Sequence, residues 1–196
     1  MKLLKAAFLV MACLGCVISH ASETLPRIGD FSLLDQQGMF HQLSWYDDHK
    51  AVVIFVQGNG CPIVRNGAPT LKALRDEYTN QNVAFFMLNP QPQDDRESIA
   101  AEAQEFGYDF PILVDEAQLV AESLGVDRTA EVFVIDPKTL EVLYRGPIDD
   151  RLGYESQKPE ASKHYLRDAL DAALSGEAIA NTQVDSPGCL INLPAR

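Results

Sequence analysis

Basic residues are scarce in this chain. Sixteen lysines and arginines face 28 aspartates and glutamates, giving a formal net charge of -12 over 196 residues. That balance argues against nucleic acid or an anionic membrane as partner, since both are held through basic patches. Long apolar runs are also missing. The stretch from Ala6 to Ile18 is too short to span a bilayer, which needs about 20 apolar residues. Cysteine is sparse, with four in the chain, and past residue 21 no C-x-x-C or H-x-x-x-H spacing occurs, so neither a metal site nor a cofactor is expected. There is no low-complexity segment, internal repeat or linker to suggest a second domain. What remains is a globular composition, 46% hydrophobic and 22% charged, long enough for one full core.

Residues 1–21 read as an export signal rather than as part of the fold. Lys2 and Lys5 provide a positive start, an apolar stretch follows, and Ser19-His20-Ala21 offers small residues for cleavage. A lipoprotein signal is the alternative, but neither Cys13 nor Cys16 is preceded by a good lipobox. Cleavage after Ala21 would remove two lysines and no acids, leaving a charge of roughly -14 and only Cys61 and Cys189 as thiols. A periplasmic or extracellular location is therefore expected.

The stretch that organises the rest begins at Gln57. Ahead of it, Ala51-Val52-Val53-Ile54-Phe55-Val56 is short, β-branched and ends at glycines, as a buried strand does. Beyond the glycines, Val64, Ala68, Leu71, Leu74 and Tyr78 recur at helical spacing. Cys61 thus falls where a helix begins, facing unpaired backbone N–H groups and the positive end of the helix dipole, both of which favour a thiolate. Pro62 suits the first helical turn, and Arg65 would add a nearby cation.

Around this centre the chain alternates. Residues 31–43 read as two short strands about a turn at 35–38. Val83 to Leu88 is a second buried strand, and a helix capped by Asp94-Asp95 runs to about Phe106 and stops at Gly107. A strand at 111–114, a short helix at 118–124, a hairpin at 131–145 and a last helix from about Pro159 to Leu174 complete the pattern. Trp45 and the phenylalanines are assigned to the core.

A strand, a turn, a cysteine opening a helix, and Ala68-Pro69 seven and eight positions later resemble the redox segment of thioredoxin-fold proteins. The second cysteine of a thioredoxin is replaced by Val64, and the chain more closely resembles the single-cysteine redoxin branch related to the alkyl hydroperoxide reductase/thiol-specific antioxidant family. The resemblance spans residues 25 to 192. It includes the Thr129-Ala130-Glu131 strand entrance, Tyr144 to Arg151, His164-Tyr165-Leu166 and the late Gly188-Cys189. It implies an α/β, thioredoxin-like three-layer sandwich over residues 22–176, with an N-terminal β-hairpin and a C-terminal tail, 177–196, carrying Cys189.

Under this resemblance the chain is an exported thiol-dependent oxidoreductase. Cys61 is the redox nucleophile and Cys189 a possible resolving cysteine, with Pro62, Arg65, Thr129 and Glu131 as supporting residues. The pair could instead be a permanent staple, or two separate thiols; the placement of Cys61 at a helix start favours the redox pair. Redoxins commonly read Thr-Pro-Glu where this chain has Thr129-Ala130-Glu131. A cis bond before a non-proline residue costs about 2.5–4 kcal/mol, so a trans peptide or an altered loop is expected at Ala130. Thr129 reads as a turn residue, while Glu131 is either a proton-moving carboxylate facing Cys61 or a polar residue at a strand entrance. Peroxiredoxins carry Thr or Ser three residues before the cysteine, where this chain has Gly58, and their later arginine has only Arg128 as a displaced candidate. Antioxidant peroxidase activity is therefore the runner-up, and a non-enzymatic accessory module the third reading. The expected partners are a protein or small-molecule disulfide or peroxide, and an electron-transfer protein is conceivable.

Overall fold

The computed structural model describes residues 25–153 and 157–194; the expected export signal lies outside them. At the centre is a five-stranded sheet of β3 (Ala51–Val56), β4 (Val83–Asn89), β5 (Ile112–Val114), β6 (Val132–Asp136) and β7 (Glu141–Gly146). Their order across the sheet is β5-β4-β3-β6-β7. β3 pairs parallel with β4, and β4 with β5, whereas β6 runs antiparallel to both β3 and β7. A separate antiparallel hairpin, β1 (Ser32–Leu34) and β2 (Phe40–Gln42), precedes the sheet. The helices are α1 (Pro62–Tyr78), α2 (Arg96–Phe106), α3 (Leu119–Leu124) and α4 (Tyr165–Ser175).

Side chains on a strand alternate between faces, so a central strand buried on both sides must be apolar throughout. All six residues of β3 are buried. Val53 and Phe55 join one core cluster with Leu71 and Tyr78 of α1, Ile99 of α2 and Leu170 of α4. Val52, Ile54 and Val56 join the other, with Leu124 of α3, Leu43 and Ile28. The result is the expected three-layer sandwich.

Most boundaries fall where the caps place them. Asp95 accepts the Ser98 amide at the start of α2, and Gly107 ends that helix in the left-handed region. Two expectations fail. The last helix begins at Tyr165 rather than Pro159, because the Asp150 carboxylate gathers Lys158 (2.6 Å), the Ser162 amide and hydroxyl, and the Lys163 amide, holding that stretch out of the helix. Trp45 and Phe40 are also not core residues. They are 59% and 45% exposed and pack edge-to-face on each other, 5.0 Å between ring centres.

After α4 the chain runs back as an irregular strap. It first lies along β7, where the Arg145 amide donates to Thr182 O (2.8 Å) and the Val184 amide to Arg145 O (2.9 Å). It then crosses to the entrance of β6 and forms an antiparallel bridge between Arg128 and Leu190. Ile191 is buried in the second core cluster, anchoring the end of the strap.

Candidate active site

Cys61 caps α1 with extended backbone (φ -74°, ψ 115°), and Pro62 occupies the first helical turn. The turn before it requires Gly60, whose φ of +80° would strain any side chain. Carboxylates fix the same turn. Both oxygens of buried Glu102 accept the Gly60 amide (3.0 and 3.1 Å), and Asp94 accepts the Asn59 amide (2.9 Å). Asn89 donates to both Asp94 and Gln57, closing a buried polar network beneath the turn.

The sulfur of Cys61 meets two groups. Thr129 Oγ1 lies 3.0 Å away and Cys189 Sγ 3.1 Å away, and neither cysteine is disulfide-bonded. A disulfide would need roughly one ångström of further approach. Thr129 Oγ1 also accepts the Cys189 amide at 2.9 Å. With that lone pair occupied, the hydroxyl proton is available to a Cys61 thiolate.

Burial pushes the Cys61 thiol up, but hydrogen bonds from Thr129 and Cys189, helped by the Val64 and Cys189 amides, more than offset it and the net shift is downward. Cys189 moves the other way. Burial, its hydrogen bond to Cys61 and the charge on Cys61 all raise it. One sulfur is thus favoured as thiolate while its neighbour retains a proton to share.

The supporting residues divide. Pro62 and Thr129 belong to the site, and Thr129 is a direct sulfur contact rather than a turn residue alone. Arg65 turns to Glu102 (3.1 Å) and lies over the Phe106 ring, so hydrogen bonding rather than a cation lowers the Cys61 thiol. Glu131 is buried at the strand entrance, where Arg145 Nε donates to one oxygen (2.7 Å) and the Asp127 amide to the other (3.1 Å). Its carboxylate is engaged there rather than at Cys61. Arg128 donates to Gly188 O at 3.1 Å.

Ala130 explains the loop between these groups. Its peptide is trans, and the residue sits in the left-handed region at φ 58°, a conformation costing about 1 kcal/mol or more for alanine. Bonds on either side hold it: the Ala130 amide donates to Val56 O (2.7 Å), and the Val56 amide to Glu131 O (2.8 Å). The trans peptide expected at this position is therefore present.

Glu102 was not singled out from sequence, and Asp94 was read only as a helix cap, a place that Asp95 takes. A signal for Glu102 existed, since it shares the inward face of α2 with Ile99 and Ala103, where an acid needs buried donors. A cavity of about 740 Å³ lies elsewhere, among residues 28–34, residues 114–117 and α3, and none of the sulfur-contacting residues lines it. Among the described residues no cluster of three or more His, Cys, Asp or Glu could hold a metal ion. Nor is any helix among them long and apolar enough to cross a membrane.

Residues 26–143 match the AhpC/TSA family model. The chain belongs to the AhpC/TSA family. It is 29% identical over 136 residues to a thiol-disulfide oxidoreductase ResA of Geobacillus thermodenitrificans, covering 65% of this chain and 76% of that protein. Among solved structures, the hypothetical protein SMc02350 of Sinorhizobium meliloti 1021 superposes with a TM-score of 0.76 at 30% identity, covering 88% of this chain and 96% of that one. A putative thiol:disulfide interchange protein DsbE of Chlorobium tepidum, at 18% identity and TM-score 0.62, shares the fold over 78% of this chain and 98% of its own.

Proposed function

We propose that this AhpC/TSA-family protein is an exported thiol–disulfide oxidoreductase in which Cys61 attacks and Cys189 resolves. The observation that carries the reading is the pair of unbonded sulfurs 3.1 Å apart, one at a helix N-terminus. The Cys61 thiolate attacks one sulfur of a partner disulfide, forming a mixed disulfide and expelling the other sulfur as a thiolate, which takes up a proton. Cys189 then gives up its proton and attacks Cys61 Sγ, releasing the partner's second thiol and leaving a Cys61–Cys189 disulfide. Two electrons pass from the dithiol to the partner, and the reverse sequence oxidises a partner dithiol.

The ResA relative, a thiol-disulfide oxidoreductase by name, agrees in reaction class. Peroxide chemistry is less well supported, because position 58 carries no hydroxyl and Arg128 is committed to the Gly188 carbonyl. Export rests on the pattern of residues 1–21, and N-terminal sequencing of the mature chain, expected to begin at Ser22, tests it.

Alkylation of Cys61 across pH, with mass spectrometry in thiol–disulfide buffers, tests the chemistry. The Cys61 rate should rise at a pH below the free-cysteine value of about 8.5. Cys61→Ser should abolish exchange, and Cys189→Ser should accumulate a mixed disulfide on Cys61. A Cys61 that titrates like free cysteine, or a Cys61–Cys189 bond inert to redox buffer, would replace the enzyme with a stapled accessory module.

A further inference from the structure

The strap that delivers Cys189 is held as a bound peptide would be. Its main chain pairs with residues 127–129 through the Thr129 amide to Cys189 O (2.8 Å) and the Ile191 amide to Asp127 O (2.9 Å). Arg128 adds its bond to Gly188 O. Each strap residue meets a different surface. Pro187 closes an apolar slot of about 20 Å³ with Phe55, Ile63 and Ala130. At Gly188 there is no room at all, since a Cβ would lie 1.5 Å from Thr129 O. Cys189 meets Cys61, Leu190 is 66% exposed, and Ile191 enters the second core cluster.

We infer that residues 187–191 occupy, in cis, the docking groove for a polypeptide partner. That partner is an extended segment whose cysteine is preceded by glycine and followed, two residues on, by an aliphatic side chain. This rests on the thiol–disulfide reading above and gives it a substrate class. The argument is steric. Cys61 is buried beneath the strap, so a partner sulfur reaches it only by taking the place of Cys189. An incoming strand then meets the same Thr129 carbonyl that excludes a side chain at position 188. Main-chain pairing supplies attachment that any sequence could use, and the glycine requirement supplies selection. A side chain at that place has to push the strand off Thr129, so glycine should be favoured over alanine by about tenfold or more.

The test uses two hexapeptides, Ser-Pro-Gly-Cys-Leu-Ile and the same peptide with alanine replacing glycine. Each carries 2-nitro-5-thiobenzoate in disulfide linkage to its cysteine, and they react with the reduced full-length protein, the rate with Cys61→Ser protein, which keeps the other three cysteines, being subtracted. Attack by Cys61 breaks that disulfide, joins the peptide sulfur to Cys61 and releases the coloured thiolate, whose appearance gives the rate. The glycine peptide should react about tenfold faster or more. Reduced Gly188→Ala protein, its strap forced off Thr129, should react with the glycine peptide faster than wild type and keep the peptide preference. The unconjugated aromatic disulfide is the control. If neither the peptides nor the control react with Cys61, the exchange chemistry itself is wrong. If they react and the two peptides have equal rates on wild-type protein, the docking inference is overturned, and that comparison stands even if Gly188→Ala does not fold.

Discussion

Two segments flank the Cys61 sulfur, and they are held in contrasting ways. The turn at residues 57–60 comes straight out of the central strand and is tied down by buried carboxylates, with Glu102 and Asp94 accepting successive main-chain amides. The strap at 182–191 arrives from the far end of the chain. It is tied by separated main-chain bonds, one arginine and one buried isoleucine. Under the proposed chemistry the first arrangement fixes the attacking sulfur, since losing any member leaves a buried polar group without its partner. Under the docking inference the second fills a groove that a partner can take over, because its bonds can be exchanged for water or another strand at modest cost. A sulfur attacked from one side needs both: one wall that does not move and one that does.

The comparison breaks first at Glu102. Glu102→Ala leaves the Gly60 amide without its acceptor and Arg65 without its counter-ion. It should destabilise the fold by about 2 kcal/mol, lowering Tm by about 4–8 °C for a chain of this size, as calorimetry would show. An unchanged Tm would mean that the turn is as loosely held as the strap.

A smaller stability effect, with a larger chemical one, is expected for Ile191→Ala. A buried isoleucine cut to alanine usually costs about 2–5 kcal/mol. Here the strap can detach instead, so the thermal loss should be well below that range while alkylation of Cys61 accelerates. A full core-type loss with Cys61 still shielded would show the strap to be a permanent part of the core.

The mildest change is Thr129→Val, which removes one hydroxyl between the two walls. That hydroxyl helps hold the Cys61 thiol below its ordinary range, so the pH at which alkylation rises should move upward. Stability responds with a definite sign. A lowered thiol pKa contributes stability above the unfolded value that is lost as pH falls through the folded value. Thr129→Val should therefore flatten the rise in Tm across that alkaline window, measured with the protein reduced. No change in either profile would remove Thr129 from the site.

Much of this was legible in the chain before any coordinates. The buried run at 51–56 and the helical spacing of Val64, Leu71 and Tyr78 located the strand and helix that carry Cys61. The departure at Ala130 correctly signalled a trans peptide. What the chain did not show were the long-range partners. Arg65 was placed beside Cys61 by nearness along the chain, Thr129 was read as a turn residue and Glu131 was left between two readings, but each meets a residue distant in sequence: Glu102, Cys61 and Arg145 respectively. Such partners carry no local period. The start of α4 was misplaced for the same reason, because Asp150 captures residues 158–163 from outside the helix.

Sequence alone determined which cysteine opens a helix, and that a second one follows far downstream, since strand and helix periods and the helix-start position are local properties of the chain. Only the tertiary structure decided that the second sulfur stands beside the first. That contact joins residues 128 positions apart, and it depends on where a strap without regular periodicity finds an unpaired edge, a glycine-sized gap and an apolar anchor. Those features belong to the folded surface, and no short stretch of sequence contains them.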